Sequence, residues 1–193
     1  MKIGVYGGSF NPPHLGHVRA AQAWKRALGL DCVLVIPASI PPHKQMASGS
    51  ATAMERLKLT QLAFSQLPGF EVLDMELRRE GKSYTVDTIR ALKAQYKQSD
   101  LYLMMGTDMF LSFQDWYCPE EIAKNARLVC FSRYDADAKN RESLLKQADT
   151  LEAQFGERPV LLENDCFDIS STEARRLLVF GIAEPYLPQA VLR

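Results

Sequence analysis

Met1-Lys-Ile-Gly-Val-Tyr-Gly-Gly-Ser-Phe-Asn-Pro-Pro-His-Leu-Gly-His17 is the stretch from which the architecture can be read. Ile3, Val5 and Tyr6 form a short apolar run that stops at Gly7-Gly8. Two prolines follow, then His14-Leu-Gly-His17 and an Ala-rich segment. The pattern predicts a buried strand, a turn lined by backbone, and a helix that opens with two histidines. Glycines let backbone N–H groups approach an anion, and a helix start adds unpaired N–H groups and the positive end of its dipole. His14 and His17, three residues apart, share one helix face at the mouth of the turn.

Working outward, Val18 to Leu28 reads as helix with Gly29 as its stop. Cys32-Val-Leu-Val-Ile36 is a continuous apolar run, hence a second buried strand, and strand–helix–buried strand implies a parallel sheet. Pro37 ends it, and a Pro-Pro-His-Lys loop follows. Ala51 to Gln66 reads as a helix with Met54, Leu57, Leu62 and Ala63 near one face. Phe70 to Leu73 reads as a strand, Tyr84 to Tyr96 as a helix carrying Val86, Ile89, Ala91 and Leu92, and Leu101 to Met105 as a strand. Pro119 to Asn125 is a short helix with proline at its start. Arg127 to Phe131 is a strand, residues 139–155 a charged and solvated helix, and Pro159 to Leu162 a strand. Thr172 to Phe180 is a helix ending at Gly181, and a last short helix begins near Pro188. Without repeat, low-complexity tract or linker, residues 1–193 are expected to form one α/β domain: a doubly wound, Rossmann-like parallel sheet of five or six strands. Ligands bind such sheets at the carboxyl ends of the strands. That rule selects residues 7–17, 37–44, 106–117 and 163–175.

Composition narrows the function. Lys+Arg and Asp+Glu number 23 each, so net charge is zero and no global field draws in nucleic acid or an anionic membrane. Phosphate recognition must then be local. Cys32, Cys118, Cys130 and Cys166 are widely spaced with no C-x-x-C pair, as expected of reduced thiols in a cytosol. The N-terminal apolar run is too short for a signal peptide, and no stretch approaches the ~20 residues that span a bilayer. The expected location is cytoplasmic. Copy number is left open between monomer and homo-oligomer.

Two phosphate-binding motifs fail. Gly4-x-x-Gly7-Gly8 does not fit G-x-G-x-x-G, and no acidic residue ends the second strand. Gly81-Lys82-Ser83 resembles a P-loop tail, but Glu76 stands where its first glycine belongs. Other segments carry more. Two histidines at helical spacing after Gly-Gly suit phosphate contact better than core packing, and a metal pair would need a third ligand nearby. Lys44 closes a stiff loop at a strand end, either solvated or binding an anion. Ser170 and Glu173 form a capping-box pattern. Capping leaves Ser171, Thr172 and Arg175 unexplained, and hydroxyls, helix N–H groups and a guanidinium make a polyphosphate cradle. Gly106 and Asp108 follow a strand, with Asp108 either a helix cap or a ribose ligand. Trp116 and Tyr117 are either core or a platform for a flat heterocycle.

Gly7-Gly-Ser-Phe-Asn-Pro-Pro-His-Leu-Gly-His17 and Ile169-Ser-Ser-Thr-x-x-Arg175 resemble the two signatures of the HxGH nucleotidyltransferase superfamily. Pro41-Pro-His-Lys44, Ser83-Tyr-Thr-Val-Asp-Thr88, Gly106-Thr-Asp-Met-Phe110 with Trp116, and Tyr186-Leu-Pro188 are similar to the bacterial nicotinate-nucleotide adenylyltransferase family. That family joins ATP and nicotinate mononucleotide into deamido-NAD and pyrophosphate. The resemblance spans nearly the whole chain. It implies that Gly8, Ser9 and Phe10 line the nucleotide crevice, and that His14, His17 and Lys44 contact ATP phosphates. Ser171, Thr172 and Arg175 would hold the polyphosphate from the other side, with Gly106 and Asp108 near the adenosine. Thr85, Trp116 and Tyr117 would take the nicotinate end. Mg²⁺ would arrive with ATP, held by phosphates and water. The sequence departs from the family at Ser132-Arg133-Tyr134, where Arg-Pro-Gly is usual, and at Ala174, where a larger aliphatic is usual. The rival acceptors are phosphopantetheine and the amidated mononucleotide, and the rival class is a nucleotide sensor without turnover.

Overall fold

The computed structural model describes residues 1–40, 50–133, 138–164 and 169–192. Six strands form one parallel sheet: β1 (Lys2–Gly8), β2 (Cys32–Pro37), β3 (Phe70–Val72), β4 (Asp100–Gly106), β5 (Arg127–Arg133) and β6 (Val160–Asn164). Their spatial order, β3-β2-β1-β4-β5-β6, is that of a doubly wound Rossmann-like sheet. The expected fold class is therefore present, with six strands.

Alternation along each strand sorts the core onto two faces. Ile3, Val5, Leu34, Ile36, Leu101, Leu103 and Met105 pack on one face with Val86, Ile89 and Leu92 of α3 (Thr85–Gln95) and Ile122 of α5 (Pro119–Asn125). Tyr6, Val33, Val35, Tyr102, Met104 and Val129 pack on the other, against Trp24 of α1 (Leu15–Leu28) and Phe64 of α2 (Ala53–Phe64). Both faces are covered, so the strands read as near-continuous apolar runs. Gly29 ends α1 in the left-handed region, φ 59°, as the sequence predicts.

Five expectations change. In α2 the inward row is Arg56, Leu57, Thr60, Ala63 and Phe64, while Met54 and Leu62 lie exposed on the opposite side. Thr52 and Glu55 form a reciprocal capping box at the helix start. In α3, Ala91 is exposed. Helix α6 (Ala138–Phe155) is charged outward but not wholly solvated. Leu144, Ala148 and Leu151 make an i, i+4, i+7 stripe buried in the core. The segment read as loop before Trp116 contains α4 (Thr107–Leu111) and a 3-10 turn, Phe113–Asp115. After α7 (Ser171–Val179), the last helix is reduced to two 3-10 turns, Glu184–Tyr186 and Gln189–Val191.

The crevice follows from the sheet. Strands β1 and β4 pair from Lys2↔Asp100 only as far as Tyr6↔Met104. Beyond that they part, while β1 stays paired with β2 to Gly8↔Pro37. This parting lies where the strand order reverses, the place at which open α/β sheets bind ligands. Among the described residues, no helix is long and apolar enough to cross a membrane.

Candidate active site

The turn after β1 is shaped by close packing. Phe10 is buried with φ 44°, a conformation that a bulky residue adopts only under constraint. Its ring fills the space beside Gly8: a Cβ there would lie 3.0 Å from the Phe10 ring. Phe10 meets Tyr6 edge-on at 5.3 Å and the His17 ring at 5.1 Å. The aromatic floor that roots the turn in the core thus also backs one of the histidines.

His14 is the N-cap of α1 and only 5% exposed; His17 is its third helical residue. Their rings lie 3.6 Å apart. The His14 backbone N–H donates to His17 Nδ1 at 3.1 Å. Nδ1 is therefore an acceptor, and a neutral His17 ring carries its proton on Nε2. An imidazole oriented by the helix start presents an N–H donor where the helix dipole already favours an anion.

The distant signature closes on this turn. Ser170 caps α7, its Oγ accepting from Glu173 N–H at 3.1 Å. Ser171 Oγ donates to the Pro12 carbonyl at 3.1 Å. Arg175 Nη1 donates to the Asn11 carbonyl at 2.5 Å, and Nη2 donates to Thr172 Oγ1 at 3.1 Å. Residues more than 150 positions apart thus build one wall, and Ala174 is buried on α7 in a cluster with Ile169, Ala183 and Leu187.

Gly106 is the N-cap of α4 at the end of β4. Asp108 is not that cap; it lies in the first turn with an exposed side chain. Thr85 opens α3. Trp116 is half-buried, tilted against Phe113 at 5.3 Å and packed on the core. Tyr117 is 57% exposed, its ring 4.9 Å from that of Tyr84. The structure therefore brings the segments of Thr85 and Tyr117 together, with Trp116 adjoining in sequence. Lys44 lies outside the described residues, as does the Arg133 side chain.

Two buried charges were missed by sequence reasoning. Arg56 on α2 is 2% exposed and donates to the Ser9 carbonyl at 2.7 Å and the Ser39 carbonyl at 2.9 Å. Ser39 N–H in turn donates to Ser83 Oγ at 3.2 Å, and Ser83 N–H to the Ile40 carbonyl at 3.0 Å. Glu76, 6% exposed, accepts from Thr88 Oγ1 at 2.7 Å, and that oxygen accepts from Arg79 at 3.0 Å. The turn after β1, the exit of β2 and the start of α3 are thereby joined by buried polar contacts. The usable signal was the helical row Leu57, Thr60, Ala63 and Phe64, whose face Arg56 shares four residues before Thr60.

Burial pushes the Glu76 carboxyl above its ordinary 4.5, although hydrogen bonds from Thr88 and Ser83 and the charge of Arg79 oppose this. A raised folded-state value means this group's stabilisation is complete below the unfolded value and is lost as pH rises through the folded one. Glu76→Gln, neutral at every pH, should therefore gain thermal stability relative to the wild type as pH climbs from 4.5 toward 7. Melting curves across that range check it; a constant difference would contradict it.

Fold and wall together define a doubly wound α/β protein with a polar-walled crevice at its switch point, the architecture of the nucleotidyltransferases. The chain belongs to the cytidylyltransferase-like family, whose model matches residues 5–177, and over its full length to the nicotinate-nucleotide adenylyltransferase family. A Geobacter sulfurreducens protein described as a probable nicotinate-nucleotide adenylyltransferase is 39% identical, the match covering 100% of this chain and 94% of that one. A Dictyoglomus thermophilum protein of the same description is 37% identical over 99% and 94%. Among solved structures, Plasmodium falciparum nicotinic acid mononucleotide adenylyltransferase complexed with NaAD has a similar fold. The TM-score is 0.74 at 16% identity, covering 98% of this chain and 92% of that one.

Proposed function

We propose that the protein transfers the adenylyl group of ATP to nicotinate mononucleotide, releasing pyrophosphate and deamido-NAD. The observation that carries this reading is the wall between the two signatures. Arg175 and Ser171 grip the carbonyls of Asn11 and Pro12 in the turn that leads to His14 and His17. The full-length relatives described as nicotinate-nucleotide adenylyltransferases support the choice of acceptor.

The acceptor's phosphate is already a nucleophile, so no protein nucleophile is needed. The chain must hold that phosphate in line with the α-phosphorus of ATP and stabilise the charge that develops on the bridging oxygen and the departing pyrophosphate. In this mechanism His17 Nε2–H donates toward the α-phosphate, and His14 and Lys44 add donors along the chain of phosphates. Ser171, Thr172 and Arg175 hold the β- and γ-phosphates from the opposite wall. Gly8, Ser9 and Phe10 line the crevice, and Gly106 and Asp108 face the adenosine. Thr85, Trp116 and Tyr117 receive the nicotinate ring, whose carboxylate accepts hydrogen bonds that an amide NH₂ cannot. ATP would enter as its Mg²⁺ complex, the ion held by phosphate oxygens and water. The whole chain would act as one nucleotidyltransferase domain.

Pyrophosphate release from ATP with a panel of acceptors tests the reading. Nicotinate mononucleotide should support turnover and phosphopantetheine should not. Turnover with phosphopantetheine alone, or none with any acceptor, would refute it.

A further inference from the structure

Among the described residues Arg56 is the only arginine or lysine whose side chain is buried, and it forms no ion pair there. Its Nε is buried and without a hydrogen-bond partner among them. Desolvation presses its pKa downward, but a guanidinium keeps its proton under all ordinary conditions. An uncompensated buried cation destabilises a fold, and an apolar side chain on the inward face of α2 would pack without that cost. What Arg56 does hold is specific. One Nη grips the carbonyl of Ser9, in the turn leading to His14; the other grips Ser39, at the exit of β2. The Ser9 turn borders the crevice opened by the parting of β1 and β4, and the Ser39 turn backs it from the β2 side. The guanidinium thus ties a crevice turn to the strand behind it and leaves a positive charge there that no described carboxylate offsets.

We propose that Arg56 is a positioning residue of the nucleotide site: it clamps the Ser9 and Ser39 turns together, and its buried charge is balanced by the polyphosphate that binds in the crevice beside the Ser9 turn. This rests on the crevice being the polyphosphate site. Arg56 touches no substrate; it acts through the two backbone turns and through its field, which a water-poor surrounding screens weakly. The charge raises affinity for the anion, while the fork sets the geometry of the turn. The two contributions are separable, because lysine keeps the first and cannot reproduce the second.

The test is calorimetric titration of wild type, Arg56→Lys and Arg56→Gln with magnesium pyrophosphate, alongside steady-state turnover. Arg56→Gln should bind pyrophosphate about tenfold or more weakly, and Arg56→Lys within about threefold of wild type with kcat lowered about tenfold or more. Equal pyrophosphate affinity in wild type and Arg56→Gln would overturn the inference, as would equal losses in both variants. If Arg56→Gln does not fold, Arg56→Lys decides: retained binding with reduced kcat supports the clamp, and unchanged kcat overturns it. Failure of the wild type to bind pyrophosphate would overturn the polyphosphate reading itself, and this inference with it.

Discussion

His17→Ala is expected to lower turnover by roughly a hundred- to a thousandfold, the loss found when one preorganised donor to a developing oxyanion is removed. The structure gives the reason for so large an effect. His17 is not a mobile surface side chain. Its Nδ1 accepts the His14 backbone N–H, its ring rests against Phe10, and the His14 ring lies 3.6 Å away. The ring reaches the transition state already oriented, so its donor needs no reorganisation. The fold should persist, because the lost contact to His14 is a single hydrogen bond, of order 1 kcal/mol. Pyrophosphate release measured beside a thermal melt checks both halves. Turnover within tenfold of wild type in a folded variant would remove His17 from its role.

Arg175→Ala is expected to lower kcat/KM for ATP by about two to three powers of ten, in line with losing one partner of a hydrogen-bonded charge pair. The side chain performs two tasks. It holds the Asn11 carbonyl and the Thr172 hydroxyl, and so joins α7 to the turn after β1. It also brings a positive charge to the turn that leads to His14. Arg175→Lys should recover only a small part of the loss, since an ammonium cannot span both acceptors as a planar fork does. Full recovery in the lysine variant would mean that charge alone matters and that the wall between the two signatures is dispensable.

The sheet was readable from sequence, for one physical reason. Strands buried on both faces must be apolar throughout, so Cys32–Ile36 and Leu101–Met105 announced themselves. Polar groups clustered just past such strands then marked the crevice. What escaped was governed by helical phase and by burial of charge. Nothing in the letters Met54, Arg56 and Leu62 says that the arginine turns inward and the apolar residues outward; the row that Arg56 shares with Thr60, Ala63 and Phe64 is visible only once the helix is packed. Helix α6 misled similarly, its three inward residues diluted among eighteen mostly polar ones. Glu76 sits in a charged run, and only its hydrogen bond from Thr88 shows that it is buried. Trp116 proved intermediate between core and platform: half-buried on Phe113, next to an exposed Tyr117.

The acceptor is the centre of the account, and direct competition tests it. With ATP present, nicotinate mononucleotide and its amide are supplied together at equal concentration and the dinucleotide products are separated. Deamido-NAD should be the dominant product, because backbone N–H groups at the start of α3, beside Thr85, would pair with a carboxylate and be left unmatched by an amide NH₂. Equal amounts of the two products, or an excess of the amidated dinucleotide, would contradict it.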